Sequence, residues 1–121
     1  MAGLSSREFH QGRAMLDAGR FFYVYFCCQQ AVEKSLKAII AEKTKKLPPK
    51  LHNLIALAEK ADVPVEDKGE DLMRFLTDLY VASRYADVDA PGVHDSDAGH
   101  AADCLARATE MVHWLTTFRK K

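Results

Sequence analysis

Tyr25, Gln29, Glu33 and Lys37 stand four residues apart. In a helix that spacing sets a phenol, an amide, a carboxylate and an ammonium in one row. Gln30 and Lys34 form a second row beside it, and Phe26, Val32, Leu36, Ile39 and Ile40 take the reverse side. Such a row is either a solvated edge or a polar seam buried against a partner. Glu33 preceding Lys37 is the favourable order for an i,i+4 pair, yet an exposed pair contributes only about 0.2–0.5 kcal/mol. That is too little to account for the pattern.

Arg84 and Tyr85 form a second constellation. An arginine at a helix end offers a planar fork to phosphate, and a neighbouring tyrosine stacks on a base or donates a hydrogen bond. The same arginine would equally serve as a cap on helix-end carbonyls or a partner for Asp87. If Gln29, Gln30 and Glu33 face Arg84 across a bundle, they orient its guanidinium. Downstream, Asp87, Asp89, His94, Asp95, Asp97 and His100 crowd one loop. Their density suits a cation, but Pro91 and Ala98 stand where an EF-hand loop has ligands. No metal and no cofactor is therefore expected. His52, next to Asn53 after a Pro-Pro turn, reads as a group that satisfies free N–H donors or packs on the preceding helix.

The elements that must position these groups are helical throughout. Ser5 with Glu8 offers a capping box for a first helix ending near Ala18, with Gly19 as its C′ residue. A second helix, from about residue 20 to 45, stops before Pro48-Pro49. It is apolar on more than one side, which makes it central. A third is expected over about 51–62, with Leu51, Leu54, Ile55, Ala58 and Ala61 on one face. A fourth spans about 66–85 with the stripe Leu72, Leu76, Leu79 and Ser83, weakened at its start by Gly69. A fifth runs from about 96 to 118, with Ala101, Leu105, Ala108, Val112 and Leu115 inward and Trp114 paired with Phe118. Short connections then give one all-α domain, an up-and-down antiparallel bundle of four to five helices.

Composition narrows the function classes. No apolar run reaches the roughly 20 residues needed to span a bilayer, and residues 1–8 lack the apolar stretch of a signal peptide. Cys27, Cys28 and Cys104 show no zinc-ligand spacing and read as small core residues in a reducing compartment. A cytoplasmic protein without a membrane partner is the expectation. Charge is zero overall but uneven: residues 1–60 hold ten Lys/Arg and five Asp/Glu, residues 61–121 seven and twelve. Lys43, Lys45, Lys46 and Lys50 gather at the Pro-Pro turn, where they would attract phosphates or complement a helix end. A neutral chain makes no case for nonspecific nucleic-acid binding.

Three segments also carry a resemblance. Gln29-Gln30-Ala31-Val32-Glu33-Lys34-Ser35-Leu36-Lys37-Ala38 resembles the signature helix of the HEPN domain family. Leu51-His52-Asn53-Leu54 is similar to that family's His-(Asp/Asn)-Leu start of the third helix, and Arg84-Tyr85-Ala86-Asp87 to its Arg-Tyr-x-Asp exit from the fourth. The resemblance implies a nucleotide- or RNA-phosphate-binding module. It also implies a homodimer and a small nucleotidyltransferase partner in a toxin–antitoxin-like pair. Ligand contacts would fall to Arg84, Tyr85 and Lys37, with Glu33 and Gln29 beside them. The alternative it implies is a metal-independent ribonuclease toxin in which Arg84 stabilises the charge on phosphorus and His94 acts as acid or base. Ribonuclease members space Arg and His by four to six residues, whereas here Asp89, Ala90 and Pro91 hold those positions and His94 comes later.

Overall fold

The second helix is the axis of the molecule. The computed structural model describes residues 4–84 and 98–119, and these form α1 (Leu4–Asp17), α2 (Phe21–Thr44), α3 (Leu54–Ala61), α4 (Asp67–Arg84) and α5 (Ala98–Thr116). α2 touches each of the other four. Twenty-four residues at 1.5 Å rise make it about 36 Å long. Along it Val24, Cys28, Ala31, Val32, Leu36, Ile39 and Ile40 are buried, too wide a set of directions for one amphipathic stripe. That breadth is what lets α2 pack neighbours on several sides.

Cross-contacts fix the directions. Glu8 pairs with Lys34 and Gly12 lies against Cys27, so α1 runs antiparallel to α2. Tyr25 meets His100 and Glu42 meets Arg119, so α5 runs parallel to α2. Phe75 lies on His100 while Gly69 lies on Met111, which sets α4 antiparallel to α5. The result is the up-and-down bundle of α1, α2, α4 and α5, with the short α3 laid against α2 and α4. The described residues contain five helices and no strand, as the all-α reading requires.

The helix ends have local causes. Gly19 adopts φ 75°, and the Arg20 and Gly19 N–H groups donate to the Met15 and Leu16 carbonyls at 2.8 and 3.0 Å. This is the paired closure that a left-handed glycine permits. α1 begins at Leu4, so Ser5 lies within the helix; the side chain of Ser5, and with it the capping box expected with Glu8, lies outside the described residues. Glu8 turns inward to Lys34, since a buried carboxylate needs a compensating charge. Its second oxygen is buried without a partner among the described residues.

α3 starts later than the expected residue 51. Asn53 is its cap: the side-chain carbonyl accepts from the Ile55 and Ala56 N–H groups at 3.0 and 3.1 Å. A capping residue has non-helical backbone by definition, so residues 51–53 stay extended. The Leu54 N–H donates to the buried Thr77 hydroxyl of α4 at 3.1 Å, and the Lys43 ammonium donates to the Ala61 carbonyl, which closes the other end. Asn53→Ala should lower stability by about 1 kcal/mol in denaturant unfolding, and Asn53→Asp should restore most of it. An unchanged midpoint for the alanine variant would show that the cap does not set where α3 begins.

Candidate functional site

The polar row of α2 is a buried seam. Gln29 is 1% exposed and Glu33 7%. Glu33 Oε1 accepts from Gln29 Nε2 at 2.7 Å and from His52 Nδ1 at 3.0 Å. Its Oε2 accepts from the Lys37 ammonium at 3.1 Å. Gln29 Nε2 also reaches the His52 carbonyl at 3.3 Å, while Gln29 Oε1 accepts from Gln30 Nε2 at 2.7 Å. One carboxylate thus holds three donors, and the extended backbone ahead of Asn53 brings His52 to it.

The two outer donors keep contact with solvent. The His52 side chain is 39% exposed and that of Lys37 21%. With the Nδ1 proton given to Glu33, the second ring nitrogen of His52 remains for other chemistry. His52 also packs on Tyr80 of α4, ring centroids 4.8 Å apart. Tyr80 in turn stacks on Phe26 at 6.3 Å with 12° between the planes. Phe26, assigned by spacing to the apolar reverse side, is 41% exposed. The phase of α2 turns it toward the Tyr80 edge rather than under a neighbouring helix.

The first member of the row has a different fate. The Tyr25 ring is buried, its hydroxyl lies 2.6 Å from His100 Nδ1, and its ring meets Phe75 edge-on. Tyr25 therefore ties α2 to the start of α5. Of the acidic loop, His100 alone falls within the described residues; Asp87, Asp89, His94, Asp95 and Asp97 lie outside them. Among the described residues no group of three or more His, Cys, Asp or Glu side chains is placed to hold a metal ion. Arg84 is the last residue of α4, one turn beyond Tyr80. Its side chain, and all of Tyr85, lie outside the described residues.

The cysteines are free and buried. Burial first, and the nearby Glu8 carboxylate second, push the Cys27 thiol up. A hydrogen bond with Cys104, then burial, does the same for Cys28. Neither has the lowered value a reactive thiol needs. An open cavity of about 470 Å³ lies elsewhere, between the first half of α4 and α5, with Leu72, Met111 and Trp114 in its wall.

His52 and Tyr80 were not singled out as ligand contacts by sequence reasoning. The signal for His52 was its place just before a capping Asn, which leaves its own side chain unused at the helix end. Nothing local signals Tyr80.

Burial alone would raise the Glu33 carboxyl, but hydrogen bonds from Gln29, His52 and Lys37 outweigh it and hold the group below its ordinary value of 4.5. A lowered folded-state value means that the unfolded chain takes up the proton more readily. The stabilisation is therefore complete above about pH 5 and is lost as the pH falls through the folded value. Glu33→Gln should flatten this acid limb of the stability profile and cost about 2 kcal/mol at neutral pH. Parallel unfolding curves of the two proteins between pH 7 and 3 provide the check: an identical acid limb in both would remove Glu33 as its source.

The comparisons with known proteins bear on the whole of this arrangement. No curated protein and no solved structure showed a significant match to the chain. A family model described as the HEPN domain matches residues 5–119, a span that includes Gln29, Glu33, Lys37, His52, Tyr80 and Arg84 together with nearly the full length of all five helices. The chain belongs to the HEPN domain family.

Proposed function

We propose that this protein is a nucleotide- or RNA-phosphate-binding module, a homodimer that partners a small nucleotidyltransferase in a toxin–antitoxin-like pair. The observation that carries the binding part is the Glu33 carboxylate holding the Lys37 ammonium and the His52 ring at one partly open point. Two donors fixed before a ligand arrives lose little freedom on binding, which is what favours charge-assisted contacts to a phosphate. Glu33 and Gln29, being buried, act as positioning residues. Arg84 ends α4 one turn beyond Tyr80, and the resemblance makes Arg84 and Tyr85 further ligand contacts. The family membership supports a nucleotide or RNA ligand. The dimer and the nucleotidyltransferase rest on the resemblance alone.

The Glu33–His52 bond favours one second reading, a metal-independent ribonuclease. A carboxylate on Nδ1 orients an imidazole for proton transfer at its other nitrogen. His52, rather than His94, would then take the proton of a ribose 2′-hydroxyl. That oxygen would attack phosphorus, the bond to the 5′-oxygen would break, and the departing oxygen would take a proton from water, giving a 2′,3′-cyclic phosphate and a free 5′-hydroxyl. Arg84 would stabilise the charge on phosphorus.

Calorimetric titration with AMP and with a short RNA tests the first reading. Lys37→Ala and His52→Ala should each weaken binding by about tenfold to a hundredfold. Equal affinity in all three proteins, or no binding by any, would discard it. RNA incubation with EDTA present tests the second: cleavage that disappears in both His52→Ala and Arg84→Ala would establish the enzyme.

A further inference from the structure

Phe26, Tyr80 and His52 form a continuous row of rings that joins α2, α4 and the lead-in to α3. The row is open to solvent at one end. Phe26 is 41% exposed and Tyr23, three residues earlier on α2, is 52% exposed. By contrast, Tyr25 on the inner side of the same helix is buried. The crevice behind the rings, walled by Leu76 and Leu79, has room for about 10 Å³, no more than a single water molecule needs. Flat faces backed by solid core are a platform rather than a pocket.

The placement of the platform matters. Phe26, Glu33 and Lys37 are seven and eleven residues apart, two and three turns, and so share one stripe of α2. The open rings stand about 10 Å along the helix from the carboxylate that holds Lys37 and His52. A strand of two or more nucleotides bridges that spacing, with bases at one end and a phosphate at the other.

We infer that the Phe26–Tyr80 row, with Tyr23 beside it, is a stacking platform for unpaired bases, and that the ligand is single-stranded RNA rather than a mononucleotide or a duplex. This rests on the reading of Lys37 and His52 as phosphate contacts. Aromatic faces take any base whose own face is free, and a paired helix offers none. A second copy of the chain fits the patch less well. Among the described residues the exposed large apolar side chains of α2 and α4 are Tyr23, Phe26 and Val81, a small apolar area for the core of a stable dimer interface. The rings also continue directly into the cationic point, which an apolar self-contact does not need.

Fluorescence anisotropy with three labelled RNAs tests the inference: a single-stranded oligomer, the same oligomer with abasic sites, and its duplex. The intact single strand should bind about tenfold tighter than either of the others. Phe26→Leu, which keeps an apolar side chain and removes the ring, should lose that advantage and leave abasic binding unchanged. Tyr23→Ala should reduce it in part. Intact and abasic strands of equal affinity, both weakened by Lys37→Ala, would overturn the platform and leave the phosphate reading standing. Binding of none of the three would overturn both. A Phe26→Leu variant that binds RNA normally but changes mass in light scattering would assign the patch to a second copy of the chain and overturn the inference.

Discussion

A carboxylate buried among helices is costly unless its oxygens are fully engaged, and Glu33 meets that condition where two separate parts of the chain converge. Gln29 and Lys37 come from its own helix, one turn before and one turn after. His52 comes from the extended segment ahead of α3. The position of that segment depends in turn on Asn53, which starts α3, and on Thr77, which receives the first N–H of α3 from across the interface. Remove any of these and the carboxylate loses a partner it cannot replace from solvent. Much of the geometry on this side of the bundle follows from satisfying one charged group.

The rest of the fold supplies rigidity at low cost in polar groups. The interior is apolar, with Leu36, Ile39, Leu54, Leu57, Met73, Leu76 and Leu115 almost fully enclosed. Among the described residues the polar bonds that cross between helices include Glu8 with Lys34, Leu54 with Thr77 and Lys43 with Ala61, besides Tyr25 with His100 and Glu42 with Arg119 near the two ends. The paired solvent-facing charges, such as Arg74 with Glu70 and Arg107 with Asp103, lie within single helices. They adjust the surface and contribute little to the packing. The Glu33 cluster differs in gathering three donors on one inward carboxylate.

The architecture was legible where burial repeats at helical spacing. In α5 every residue of the expected stripe from Ala101 to Leu115 is buried, and Trp114 and Phe118 meet at 5.0 Å. Leu72, Leu76 and Leu79 of α4 are buried as their spacing implies. Phe26 lies seven residues before Glu33, so helical spacing sets it on the polar stripe and not on the reverse side; periodicity does not say which further faces find a neighbour, and it left Met73 and Leu57 unmarked. The site was legible only in part. The row from Gln29 to Lys37 is a local pattern and could be read directly. His52 lies nineteen residues from Glu33, and Tyr80 lies on another helix. Their convergence is a property of the folded chain, with no trace in the spacing of either segment. The family motifs recovered His52 as a helix start but not its bond.

The span of that bond has a kinetic side. Contacts between residues distant in sequence require the intervening chain to be closed first. A hydrogen-bond cluster that needs its donors placed within tenths of an ångström gains its full strength only after α2, α3 and α4 have docked. Interactions formed after the rate-limiting step slow unfolding without hastening folding. If the Glu33 cluster forms after that step, its side chains govern how long each folded molecule lasts more than how quickly it forms.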